Sequence, residues 1–518
     1  MKFLAAFISY MLFGMSTSGQ TQAYYNVLDY GAKNDSTALA TEAIVKAIDH
    51  ASQAGGGTVF FPAGKYLTGP IHLKSNITLL IDAGAEISFS DNFDHYLPMV
   101  PSRWEGTMVY NFSPLIYAYE AENITIKGGG VLNGNGKKWW AYSEVQVKKS
   151  PESHWQKEFH RLNTEILHPD LPGWVELGFL RPPFIQTMYC KNVRIEDVTI
   201  KNSPFWTVNP EFSDNVTVNG ITINNPPSPN TDGINPESCS NVHISNCHIS
   251  VGDDCITIKS GKDRSGRKEA RAAENYTITN CTMLSGHGGV VIGSEMSGDV
   301  RKITISNCVF DGTDRGIRIK TARGRGGVVE DIMVSNMVMK NIKQQAIVLD
   351  MQYAKTKSEP VSERTPIFRN IHLSGITAHG EQAGYLNGLE EMPIESITFD
   401  NIIMETKTGF LIKNAKNINF SNVLINAQKG AAIQASEVSA LQVNGLRSSK
   451  EYKDAAAIML NNVADAFITN SFIQSPIATF LQITGRNSTG IVLRNNVLNK
   501  VKKPVSKHGD VKEKIIVN

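Results

Sequence analysis

"NVHISNCHISVGDDCITIKSG", residues 241 to 261, carries two patterns in one stretch. Its first nine residues alternate apolar and polar side chains, break at Asn246, and alternate again. Alternation of period two signals strands. Asn or Gly at the break suits a sharp bend, because both tolerate positive φ. The same pattern returns as "NVRIEDVTI" from Asn192, "NVTVNGITI" from Asn215, "NYTITNCTM" from Asn275, "KITISNCVF" from Lys302 and "DIMVSNMVM" from Asp331. It continues from Asn370, Ser396 and Asn417, with weaker copies near Asn76, Asn123 and Ala466. The interval is irregular, about 20 to 40 residues, as a solenoid with loop insertions requires. Two short strands and a bend per copy predict one coil of a parallel β-helix, with coils roughly 4.8 Å apart. The expected class is all-β: a single-stranded parallel β-helix.

Stacking places like on like. Asn246, Asn280, Asn307 and Asn336 share one repeat position and predict an amide ladder. Cys247, Cys281 and Cys308 share the next position and read as an interior stack of small side chains, in preference to disulfides. Cys190, Cys239 and Cys255 complete an even count. A solenoid needs covered ends. "STALATEAIVKAIDHASQAGGG" puts Ile44, Ala47, Ile48 and Ala51 on one helical face and stops at Gly55 to Gly57, which predicts an N-terminal capping helix.

Residues 137 to 180 break the repeat and bring Trp139, Trp140, Trp155 and Trp174. Such aromatics stack on sugar rings or pack an insertion against the barrel, and both readings stand here. A second, basic insertion follows the aspartate pair. The domain reading is a signal peptide over 1–23, a β-helix over 24–500 and a polar tail over 501–518, which caps the other end or stays loose. The signal peptide rests on Lys2, the apolar "FLAAFISYMLFGM" and the small, polar residues up to Ala23. It predicts export to the periplasm or the exterior, without stable membrane insertion. A net charge of +2 across 518 residues, with no long basic run, argues against a nucleic-acid partner.

Four polar clusters interrupt successive repeats: "NTDG" (Asn230 to Gly233), "GDDC" (Gly252 to Cys255), "GHG" (Gly286 to Gly288) and "RIK" (Arg318 to Lys320). A lone "DD" is ordinarily a solvated turn. Here the gaps equal a coil plus any insertion, so Asp232, Asp253, Asp254, His287, Arg318 and Lys320 are expected in one patch. Residues two apart on a strand face the same way, so Arg318 and Lys320 point out and Ile319 points in. Crowding raises the pKa of one carboxyl and keeps it protonated, while the others stay anionic and activate water. Acid and base carboxyls are the requirement of glycoside hydrolysis. The two cations fit a substrate carboxylate, which points to an acidic sugar. The adjacent cations disfavour calcium, and no metal or other cofactor is expected.

At these residues the sequence resembles the polygalacturonases, family 28 of the glycoside hydrolases, and most resembles bacterial exo-acting members in "RPPFIQ", "NSPFWTVNP" and "DGTDRGIRIKTARGRGGVVE". The resemblance implies a right-handed parallel β-helix that hydrolyses α-1,4-galacturonosyl bonds of pectin with inversion. It places the general acid on Asp253, the water on Asp232 and Asp254, a tuning or sugar-holding role on His287, and the galacturonate carboxylate on Arg318 and Lys320. It suggests a substrate contact at Tyr353, and Asn230 either contacts substrate or shapes its turn. Exo action needs one end of the groove blocked, which the 137–180 insertion would supply. Asn209 departs from the pattern, since related sequences often carry His there. Hydrolysis of rhamnogalacturonan or a substituted galacturonan, a pectate-lyase-like enzyme and a glycan-binding adhesin are the competing readings.

Overall fold

The computed structural model describes residues 23–146, 153–164, 181–452, 455–509, 511 and 516–517. The chain winds as a right-handed parallel β-helix, the hand that crossovers between parallel strands adopt almost without exception. In nine repeat copies the bend residue is left-handed, from φ 50° at Asn401 to φ 67° at Gly220. The residue opening each repeat is left-handed too, as at Asn192, Asn215 and Asn241 with φ 56°, 59° and 57°. Both corners thus fall where Asn and Gly cost least.

Each coil has three strands rather than the two expected. One column runs through Asp214–Asn219, Ser240–Ser245, Ala273–Thr279 and Val300–Ser306. A second runs through Thr222–Asn224, His248–Ser250 and Thr282–Ser285. The third holds Ile256–Ile258, Val290–Ile292 and Ile317–Lys320. It escapes a period-two reading because its strands are short and buried on both sides.

Register aligns Ile244, Ile278, Ile305 and Val334 in one interior stack, each at most 1 % exposed. The six cysteines are free and buried. The amide ladder is most continuous at the opening corner, where Asn215 donates to Asn192 (2.7 Å), Asn192 to Asn123 (2.8 Å) and Asn123 to Asn76 (2.7 Å). At the predicted position, Asn246 donates instead to Asn219, while Asn336 reaches Asn307 at 3.4 Å.

The N-terminal helix is Thr41–Gln53, and it buries Ala43, Ile44, Ala47, Ile48 and Ala51. At the other end Val501–Lys507 forms a strand on Ile477–Thr484, so this part of the tail joins the last coil. The described part of the 137–180 insertion forms helices Lys137–Gln146 and His154–Asn163. Its described tryptophans pack inward. Trp139 is fully buried with its ring 4.0 Å from Phe93, Trp155 lies 5.3 Å from Phe93, and the Trp140 indole N–H donates to the Ser203 carbonyl (2.9 Å). Trp174 and the expected signal peptide, save Ala23, lie outside the described residues. Among these, no helix is long and apolar enough to cross a membrane.

Candidate active site

The third strand column brings the polar clusters together. Thr257, Val291 and Arg318 are in register across three coils, and Ile258, Ile292 and Ile319 lie one position on. Ile319 enters the core at 1 % exposed. Arg318 and Lys320 turn outward onto the floor of a groove, as their two-residue spacing predicts.

The two adjacent aspartates take different environments. Asp254 is 1 % exposed and lies against Lys320 Nζ (2.8 Å) and Arg318 Nη1 (3.5 Å). Asp253 is more open and accepts from His287 Nδ1 at 3.0 Å. The glycines beside the histidine permit this approach: a Cβ on Gly286 would stand 2.6 Å from the Asp253 carbonyl oxygen and 2.7 Å from Cys255 Sγ. Asp232 comes from the preceding coil, is 3 % exposed, and accepts from Asn235 Nδ2 (3.0 Å) and Thr257 Oγ1 (3.4 Å). One oxygen of each of the three carboxyls lies within 4.8 Å of the others. These oxygens are the set a hard cation would use, but Lys320, Arg318 and Lys259 already offset their charge.

Burial pushes Asp232 well above the ordinary carboxylate range, and the neighbouring Asp253 adds to it. Burial acts the same way on Asp254, but Lys320 and Arg318 outweigh it and hold that carboxyl below its ordinary value. Donation of a hydrogen bond to Asp253 raises His287, against the pull of burial. The two floor carboxyls thus differ: burial favours a proton on Asp232, and the cations keep Asp254 anionic.

The groove is a cavity of about 470 Å³ that takes in all eight sequence-predicted residues. Tyr353 stands at one end with its ring 5.5 Å from Arg318 Cζ and 5.3 Å from Lys320 Nζ. Asn230 has φ 53° and accepts from Arg181 Nη2 (2.8 Å), so it shapes its turn as well as lining the cavity. Asn209 stands apart, fully buried and bonded to Gln186, Glu211 and the Asn235 carbonyl.

The sequence reading missed several lining residues. Lys259 follows Thr257 on the same outward face and pairs with Glu295 at 2.7 Å, both nearly buried. Burial alone would lower Lys259, but Glu295 and Asp232 raise it, and Lys259 in turn holds Glu295 well below its ordinary value. The alternation that located Arg318 and Lys320 locates Lys259 equally. No such signal existed for Glu105. It sits at the turn of an antiparallel hairpin, Val100–Trp104 with Thr107–Asn111, and meets Lys262 Nζ at 3.2 Å. Lys262 N also donates to the Gly106 carbonyl (3.1 Å), and Trp104 stacks on Phe205 at 4.9 Å. Arg103 anchors the hairpin in the barrel, fully buried between Glu211 (3.4 Å) and Glu237 (3.7 Å). The hairpin thus adds Glu105 to the cavity lining, anchored on the coils of Glu211 and Glu237. Among the described residues of the 137–180 insertion, none lines it.

The family model "Glycosyl hydrolases family 28" matches residues 177–424, and "Rhamnogalacturonase A/epimerase, pectate lyase-like" matches residues 24–150. A probable polygalacturonase of Vitis vinifera is 31 % identical over 388 residues, 73 % of each chain. An endo-polygalacturonase of Pectobacterium carotovorum is 32 % identical over 74 % of this chain and 88 % of its own. The crystal structure of a hyperthermoactive exopolygalacturonase from Thermotoga maritima superposes with TM-score 0.70 at 34 % identity, covering 77 % of this chain and 91 % of that one.

Proposed function

Since the chain belongs to family 28 of the glycosyl hydrolases and is a pectin-hydrolysing member of its polygalacturonase group, we propose that it cleaves α-1,4-galacturonosyl bonds by an inverting acid–base reaction, one sugar or short unit at a time from a chain end. The observation that carries the chemistry is the asymmetry of the trio. Asp253, hydrogen-bonded to His287 and the most open of the three, donates the proton to the leaving oxygen. Asp232 and Asp254 on the floor hold the attacking water, and Asp254, anionic beside Lys320 and Arg318, takes its proton as the new bond forms. Closely spaced carboxyls are the usual mark of retaining enzymes. Burial of Asp232 and Asp254 favours water as nucleophile here, because water reaches a recessed oxygen that a sugar carbon does not. Arg318 and Lys320 face the substrate carboxylate, with Tyr353 alongside.

Exo action rests on the hairpin. Relatives of similar identity carry endo and exo names, so the groove end decides, and here Glu105 bonded to Lys262 forms a wall. The hairpin supplies this wall among the described residues; residues 147–152 and 165–180 of the insertion lie outside them. The leader sequence supports export, and the substrate is a pectic chain.

The test is product analysis on oligogalacturonides of defined length. We expect one short product from the earliest time points, with the anomer inverted by NMR, and Asp253→Asn folded but nearly inactive. A ladder of mixed oligomers refutes exo action, a retained anomer refutes the water attack, and an unsaturated product made only with calcium moves the chain to lyase chemistry.

A further inference from the structure

The cations of the groove are nearly all spoken for. Lys259 pairs with Glu295, Lys262 with Glu105, Arg325 with Asp263, and both Arg318 and Lys320 with Asp254. Arg315 differs. It lines the same cavity, half-buried, yet among the described residues no carboxylate lies within ion-pair distance of it. Its Nη2 donates to the neutral Gln344 side chain. Its neighbour Asp314 turns to Lys343 instead, at 3.3 Å.

The backbone fixes where Arg315 stands. His287 N donates to the Asp253 carbonyl, Asp314 N to the Gly286 carbonyl, and Gln344 N to the Asp314 carbonyl, each at 2.8 Å. Asp253, His287, Arg315 and Gln344 therefore climb one side of the groove on successive coils. Arg315 is two coils from Asp253, roughly 10 Å, on the side of Arg318 and Tyr353.

We propose that Arg315, supported by Gln344, reads a second substrate carboxylate on the Arg318 and Lys320 side of the cleaved bond. The inference rests on the acidic-polysaccharide reading above and adds a specificity residue to it. Arg318 and Lys320 are tied to Asp254, whose negative charge the water attack requires, so they have limited capacity for the substrate. Arg315 is a guanidinium held low by burial and by Arg318, with too little negative charge close by to offset them. A carboxylate arriving in the groove supplies that counter-charge and engages the planar donors in bidentate fashion.

The experiment compares wild type, Arg315→Gln and Arg315→Lys on trigalacturonic acid. In parallel, calorimetry measures binding of the free acid and of its methyl ester to Asp253→Asn with and without Arg315→Gln. Loss of one charge-assisted contact predicts a KM increase of about 10- to 100-fold in Arg315→Gln, with kcat within a few-fold and a shallower salt dependence. Arg315→Lys recovers part of the loss. Arg315→Gln should weaken binding of the acid and leave that of the ester nearly unchanged. An unchanged KM, or equal weakening toward acid and ester, overturns the proposal while leaving the hydrolase reading intact. A wild-type enzyme that neither binds nor cleaves any galacturonide removes both.

Discussion

Asp232→Asn is expected to abolish hydrolysis and yet stabilise the fold, and the buried trio sets the size of the effect. Asp232 is 3 % exposed, within 4.8 Å of two further carboxyls, and pushed up chiefly by burial. At neutral pH the folded chain must either ionise it at a cost or keep a proton that the unfolded chain releases. An amide of the same shape keeps the acceptor for Asn235 and Thr257 and turns an N–H donor toward the anionic Asp254. One hydrogen bond to a charged group is worth about 1.5–3 kcal/mol, so a gain of about 2 kcal/mol is reasonable. An unfolding entropy of ~2.1 cal/mol/K per residue gives roughly 1 kcal/mol/K for a chain of this length, so Tm rises by about 2 °C. The sign with pH follows from linkage. A raised folded pKa means that the wild type is relatively most stable below the unfolded value and loses that stability as pH rises through the folded one. The advantage of the amide should therefore be full at alkaline pH and vanish toward pH 4. Scanning calorimetry of both proteins from pH 4 to pH 9 measures it. An amide variant less stable than wild type at pH 8, or a difference that ignores pH, would refute the assignment of Asp232 as the carboxyl under strain.

Three other substitutions test different parts of the frame. Lys320→Met strips the closest counter-charge from Asp254; breaking a buried pair costs about 3–5 kcal/mol, and the lower end is expected because Arg318 remains at 3.5 Å. The folded Asp254 pKa is depressed, so its stabilisation is lost as pH falls; without Lys320 that depression shrinks, and denaturant titrations should show a smaller acid loss in the variant than in wild type. Arg103→Leu leaves Glu211 and Glu237 buried without their cation and should cost about 3–5 kcal/mol at neutral pH; because burial already raises Glu211, acid should restore part of it, and a variant insensitive to pH would argue against the pairing. Ile278→Ala empties a fully buried position in the interior stack and should cost about 2–5 kcal/mol by equilibrium unfolding, with kcat and KM unchanged.

The contrast between what the sequence revealed and what it hid has a physical basis. Corners were legible because left-handed backbone selects Asn and Gly, so Asn246 and Gly220 announce their bends. Core positions were legible because two strand columns face water on one side and so alternate. The third column, buried on both faces, writes no alternation. It surfaced only through polar residues on it and at its entrance: Arg318 and Lys320 lie on its strands, and Asp232, Asp253, Asp254 and His287 lie in the turns just before them. Lys259 obeys the same outward rule and was overlooked because no named cluster contained it. Glu105 is a different case. Its position depends on a hairpin reaching across the barrel to Lys262, a contact between residues 157 apart that no coil period encodes. Repetition specifies the floor of the groove, since each rung copies the geometry of the last. The wall is specified by an excursion from the repeat, held by Arg103 between two glutamates from neighbouring coils. The chemistry of this enzyme is thus written in its periodic residues, and the proposed preference for a chain end rests on residues that interrupt the period.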